Sequence, residues 1–193
     1  SIELMTKSLN RRGPDYQDYF LDKNYALGHA RLSIIDLSDN ANQPAHSKSG
    51  RYIISFNGEI YNFKELQRKL DDDNNIKKSD TRTLLEYLDI FGVEKTLNDI
   101  DGMFAIAIID RKNNSLYLIR DIAGEKPIYY GYINKNRESF VFSSQLSSFF
   151  YHNNWNGNIN QSSLKNFLNM GFIAGDNSIF DNIKKIKPGH YLN

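Results

Sequence analysis

The stretch RYIISFNGEIYNF, residues Arg51 to Phe63, constrains the fold more than any other part of the chain. Asn-Gly between apolar runs is a strong hairpin signal, because both residues tolerate the positive φ of a type I′ turn. A hairpin needs an alternating strand on each side, and only the first is present, Arg51 to Phe56. After the Asn-Gly come Ile60, Phe63, Leu66 and Leu70 at helical spacing, with Asn62 placed as N-cap and Glu65 as its capping-box partner. The spacing predicts that Asn57 and Gly58 join a strand to a helix.

The remaining chain mixes short strands and helices throughout, with no linker to divide it. Ile2, Met5 and Leu9 share one helix face, which Gly13 and Pro14 end. Tyr16–Leu21 and Tyr25–Ile35 read as strands around the turn Asp22-Lys23-Asn24, and Asp36–Gly50 as a polar loop. Ser79 or Asp80 caps a helix carrying Leu84, Leu85, Leu88 and Phe91. GMFAIAIID and SLYLIR form a strand pair across RKNN, KPIYYGYI and SFVFSS are further strands, and a helix starts near Asn160 and carries Leu164, Phe167 and Leu168. Strands in consecutive antiparallel pairs with helices grouped around them predict an α+β layered domain. At 193 residues the chain makes one domain, or one and a small appendage, long enough to bury roughly 70% of its unfolded surface.

Composition excludes several functions. Lysine and arginine total 24 against 23 acids, so no global field recruits nucleic acid or an anionic membrane. The longest apolar run, Met103 to Ile109, is too short to cross a bilayer, and the default location is cytoplasmic. Cysteine is absent, which removes disulfides, thiolate metal sites and any cysteine nucleophile within these residues. His29, His46, His152 and His190 lack metal-ligand spacing, and DDDNN (Asp71 to Asn75) lacks the glycine and final glutamate of a calcium loop. GEKP (Gly124 to Pro127) reads as a turn, and Lys184, Lys185 and Lys187 as a solvated edge.

One series of motifs rises above this background: RRGPD (Arg11 to Asp15), GHARLSIIDLS (Gly28 to Ser38), NQP (Asn42 to Pro44), FNGEIYN (Phe56 to Asn62) and SDT (Ser79 to Thr81). GMFAIAIID (Gly102 to Asp110), RDIAGEKPIYYG (Arg120 to Gly131) and KKIKPGHYL (Lys184 to Leu192) complete it. In this order, over nearly the whole chain, they resemble the glutaminase domain of the asparagine synthetase family, the class II glutamine amidotransferases. The resemblance implies an N-terminal-nucleophile hydrolase fold, a four-layer αββα sandwich of two antiparallel sheets. It also implies chemistry in which an N-terminal cysteine attacks the side-chain amide of glutamine and its own α-amine serves as base. An α-amine near about 8 and a thiol near about 8.5 exchange a proton at little cost.

By the same resemblance Asn57 and Gly58 form the oxyanion hole, Arg31 clamps the glutamine carboxylate, and Asp80 with Glu59 binds the ammonium. The backbone of Leu32, Ser33, Ile34 and Ile35 lines the slot. The family needs no metal or cofactor in this domain; ATP and magnesium belong to a synthetase domain with a pyrophosphate loop, which these residues do not contain. The implied partners are glutamine and that synthetase domain, with a homodimer left open. Ser1 does not replace the cysteine, since the family nucleophile lies a strand and most of a helix further upstream. The chain as given is expected to be inactive, either because its nucleophile strand precedes Ser1 or because it is a pseudoenzyme. Arg11, Arg82, Ile122 and Gln145 depart from the family pattern. The expected acceptor of the ammonia is aspartate. The alternatives are a sugar acid of a surface polysaccharide, or a non-catalytic glutamine-binding or docking module.

Overall fold

The computed structural model describes residues 1–33, 41–70, 79–133 and 139–193. The chain runs α1 (Ile2–Lys7), β1 (Tyr16–Leu21), β2 (Ala26–Arg31), β3 (Ala45–His46), β4 (Tyr52–Ile60), α2 (Phe63–Lys69) and α3 (Asp80–Asp99). Then follow β5 (Gly102–Asp110), β6 (Ser115–Arg120), β7 (Tyr129–Tyr132), β8 (Phe140–Ser143), a 3-10 helix (Leu146–Tyr151), α4 (Gln161–Met170), β9 (Ile183–Lys185) and β10 (Tyr191–Leu192).

Strand alternation builds the layers. On β4 and β5, Tyr52, Ile54, Phe56, Ile60, Phe104, Ile106 and Ile108 point one way and pack against Leu66 of α2 and Leu84, Leu85 and Leu88 of α3. The residues between them, Ile53, Ala105, Ala107 and Ile109, point the other way, to Leu27 of β2 and to Ile128 and Ile186. A third cluster places Met5 of α1 and Phe149 of the 3-10 helix against Val141 and Ile183 on β8 and β9. A five-stranded antiparallel sheet in the order β10-β6-β5-β4-β3 therefore has α2 and α3 on one face. On its other face lie the β1-β2 hairpin and the β8-β7-β9 ladder, with α1 and the 3-10 helix beyond them. This is the expected αββα layering, except that the second strand layer is split, among the described residues, into a two-stranded and a three-stranded ladder.

Local details correct the sequence reading. β4 does not stop at Phe56: Asn57 and Gly58 lie inside it, opposite Ala105 and Phe104 of β5. Pairing with a long central strand outweighs the turn preference of Asn-Gly, because nine consecutive β4 residues face β5 in unbroken register. Asn62 does begin α2, but its side chain makes no capping bond. It is drawn instead to the end of α3, where its Nδ2 donates to Asp99 O and its Oδ1 accepts from Asp101 N. Ser79 caps α3 by accepting from Arg82 N, and Asn160 caps α4 by accepting from Ser163 N. β2 ends at Arg31 rather than Ile35, and the loop over Asp36–Gly50 contains the short strand β3. β9, β10 and the 3-10 helix were not anticipated, and two lysines of the expected solvated edge, Lys184 and Lys185, belong to β9. The DDDNN segment lies outside the described residues. Among the described residues, no helix is long and apolar enough to cross a membrane.

Candidate functional site

The site is built on the hydrogen-bond parity of β4. In an antiparallel strand the main-chain groups of successive residues point to opposite sides. Arg51 O accepts from Arg111 N and Tyr61 N donates to Asp101 O, so odd-numbered residues of β4 face β5. Even-numbered residues face the opposite edge, where the short strand β3 covers only Ile53 and Ile54.

Side chains take over along the rest of that edge. Phe56 N–H donates to Gln43 Oε1 at 2.6 Å, and Gln43 Nε2 donates back to Phe56 O at 3.1 Å, so one buried amide stands in for a strand neighbour. Ile60 N–H donates to Asp80 Oδ2 at 3.3 Å. Gly58 lies between them. Its partner across the ladder, Phe104, directs both main-chain groups away from β4: its N–H donates to Asp121 Oδ2 and its carbonyl accepts from Asp121 N. The Gly58 N–H is thus outside the β4–β5 ladder, at the edge bracketed by Gln43 and Asp80.

Glycine is required at this position. Its φ is +148°, and a Cβ would lie 2.0 Å from Met103 O and 2.7 Å from Phe104 Cα. Asp121 fixes the facing backbone further by accepting from Glu125 N and Lys126 N. Burial opposes its ionisation, yet these main-chain donors prevail and hold the carboxyl below its usual range. Arg120 clamps the same turn by donating to Lys126 O, Ile186 O and Gly124 O.

Arg31 sits at the end of β2, buried, with Nη1 donating to Asn42 Oδ1 at 2.6 Å. The RRGPD segment seats this strand end. Gly13 comes so close that a Cβ there would lie 2.2 Å from Ala30 C. Asp15 N donates to Arg31 O, and Asp15 Oδ2 accepts from Ser33 N at 2.7 Å. His29, two residues before Arg31, is buried with Nδ1 2.9 Å from Ser55 Oγ. Burial, helped by the Arg31 charge, lowers its pKa to about 4, so it is neutral at physiological pH. Asp80 is the counterpart at the other end. Burial raises its pKa, opposed by hydrogen bonds from Thr81 N and Ile60 N and reinforced by the nearby charge of Glu59.

These groups converge on one cavity of about 930 Å³ between the two sheets, whose lining includes Arg31, Leu32, Asn57, Gly58, Glu59 and Asp80. Ser33 is not in the lining; its N–H is held by Asp15. Ile34 and Ile35 lie outside the described residues. Sequence reasoning gave no role to Gln43 or Asp121, although both sit in motifs it singled out. The cavity also runs between the edge of β2, including Gly28 and Ala30, and the edge of β8, including Val141 and Ser143; among the described residues no ladder joins these strands. Among the described residues there is no cluster of three metal-ligating His, Cys, Asp or Glu side chains.

Comparison with known proteins bears on the fold and the family. Two solved structures are similar over 65% of this chain: the allosteric regulatory enzyme of purine biosynthesis (TM-score 0.54, 20% identity, 29% of that chain) and glutamine phosphoribosylpyrophosphate amidotransferase of Bacillus subtilis (TM-score 0.52, 21% identity, 28% of that chain). At that identity they show the fold alone. In sequence, asparagine synthetase (glutamine-hydrolysing) 2 of B. subtilis is 33% identical over 97% of this chain and 25% of its own length. Asparagine synthetase (glutamine-hydrolysing) 3 of the same organism is 31% identical over 100% of this chain and 31% of its own. The chain thus spans between a quarter and a third of the length of these curated relatives. The glutamine amidotransferase domain family model matches residues 1–193. With its full length inside that model and the layered fold above, the chain belongs to the glutamine amidotransferase domain family, with glutamine-hydrolysing asparagine synthetases among its relatives.

Proposed function

We propose that this chain binds glutamine in the inter-sheet cavity and forms the glutaminase part of an asparagine synthetase-type enzyme. In this reading the released ammonia serves ATP-dependent amidation of a carboxylate, with aspartate as acceptor. The observation that carries the reading is the convergence of Arg31, Asp80, Asn57 and Gly58 on one cavity. A buried guanidinium fork suits an α-carboxylate, and a half-buried carboxylate beside Glu59 suits an α-ammonium. Between them, the Asn57 side-chain amide and the Gly58 N–H are the donors for the oxyanion of a tetrahedral intermediate. One such donor contributes about 3 to 4 kcal/mol to catalysis.

The attacking group comes from outside these residues, which hold no cysteine. The two facing strand edges, β2 and β8, suit an extended segment paired on both sides, and such a strand would end beside Asn57. A cysteine at its start attacks the amide carbon, ammonia leaves, and water resolves the thioester to glutamate. Without that segment the chain binds glutamine but does not turn it over. ATP, with its magnesium, is used by the synthetase portion.

Calorimetric titration of the chain with glutamine tests the binding half. Asp80→Asn is expected to weaken affinity about thirtyfold, since it leaves the ammonium without its half-buried counter-charge, a loss of about 2 kcal/mol. Because the pKa of Asp80 is raised, wild-type affinity declines as pH falls through that raised value, and Asp80→Asn removes the dependence. Equal affinity for both proteins would withdraw Asp80 from the site. Glutamate release should appear only when an upstream cysteine-led segment is present, and aspartate should outcompete uronic acids as acceptor.

A further inference from the structure

Helix α4 stands apart from every other element. Its only buried residue is Ser163, and among the described residues it makes no substantial packing contact with another helix or strand. It is held at its ends instead. Asn160 Nδ2 donates to Asp181 Oδ1, and Gly171 closes the helix in the left-handed conformation. A ten-residue helix with so little packing against other elements is marginal in water.

Its composition does not suit solvent either. From Ser162 to Gly175 the only charged side chain is Lys165. Phe167, Leu168, Met170 and Phe172 are all exposed, Leu168 to 73%. Ile159, just before the cap, is exposed as well. Large apolar side chains gathered on one short segment with almost no charge mark a contact surface.

We infer that the apolar face of α4, with Phe172 and Ile159 beside it, is the docking surface for the synthetase portion of the same polypeptide. The inference rests on the functional reading above and adds the place where the two halves meet. The choice of occupant follows from length and position. This chain accounts for only 25 and 31% of two relatives that match it end to end, so most of each relative lies beyond the matched region. Among the described residues α4 is the last helix, followed in sequence only by β9 and β10, of which β10 pairs with the sheet edge at β6.

Hydrogen exchange over residues 164–172 tests the inference, measured in the whole gene product and in the 193-residue chain. Exchange should be at least about tenfold slower in the whole product, and Leu168→Glu should return it to the rate of the isolated chain. The same variant should keep glutamine hydrolysis and ammonia-dependent synthesis while losing glutamine-dependent synthesis. Three results would overturn the docking surface: rapid exchange in both proteins, a gene product without a synthetase portion, or slow exchange in the isolated chain that becomes fast on dilution. The last would assign α4 to a second copy. Slow exchange together with absent glutamine hydrolysis would sink the functional reading and leave the docking surface standing.

Discussion

The two faces of the five-stranded sheet are made by the same strands and differ in what they carry. Toward α2 and α3, β4 and β5 present Ile54, Phe56, Ile60, Phe104, Ile106 and Ile108, all closely packed. Toward the β1-β2 hairpin they present Ser55, Asn57, Ala105 and Ala107 for much of their length, and the cavity opens above these small and polar side chains. Period-two alternation therefore separates two tasks along one strand. Even-numbered residues of β4 and β5 hold the sheet to its helices, and odd-numbered ones leave room and supply polar groups. Stability should be concentrated on the first face and tolerance to volume change on the second.

The largest effect is expected on the helix-covered face. Ile106 is fully buried between strand neighbours and α3 side chains, so Ile106→Ala should cost about 4 kcal/mol, read as a shift of the urea midpoint with unchanged slope. A loss below about 1 kcal/mol would mean that this face is not the structural one.

The cavity face should reveal itself through pH. His29 has its pKa lowered from 6.5 to about 4, chiefly by burial. The unfolded chain therefore takes up a proton below 6.5 that the folded chain refuses until about 4, and stability falls as pH drops through that window. The effect is at most about 3 kcal/mol. His29→Gln, which cannot titrate, should flatten the profile between these limits. A profile that stays equally steep there would place the acid sensitivity at a group other than His29; Asp121, whose carboxyl is held below its usual range, contributes only at still lower pH.

Gln43 joins the two faces, because it pins Phe56, a covered-face residue, immediately before Asn57, a cavity residue. Gln43→Ala leaves a buried N–H and carbonyl without partners and should cost about 2 kcal/mol. It should also weaken glutamine binding, whereas Ile106→Ala should leave binding of the folded fraction unchanged.

This division also explains what the sequence made legible. Apolar periodicity revealed β4, β5 and α3, and motif order brought Arg31, Asn57, Gly58, Glu59 and Asp80 into one expected site. The strand through Asn57-Gly58 was missed because local turn preference and long-range pairing compete there, and only the register with β5 decides between them. Gln43 and Asp121 escaped notice for a similar reason. Their partners, Phe56 and Phe104, are supplied by tertiary approach and leave no periodic trace. Ser33 was assigned to the slot as part of a motif, but its N–H is held by Asp15, eighteen residues earlier.

The smallest expected effect is the one that separates the faces most directly. Ala107 neighbours Ile106 on β5, is equally enclosed by strands, and points into the cavity. Adding two methyl groups to a close-packed core typically costs 1 to 3 kcal/mol, because neighbours must leave their rotamers. Beside the cavity that it lines, Ala107→Val should instead change stability by less than about 1 kcal/mol, and its higher strand preference acts in the stabilising direction. If Ala107→Val proves as damaging as Ile106→Ala, the inner face is packed like the outer one, and the room proposed for substrate and for a paired strand does not exist in solution.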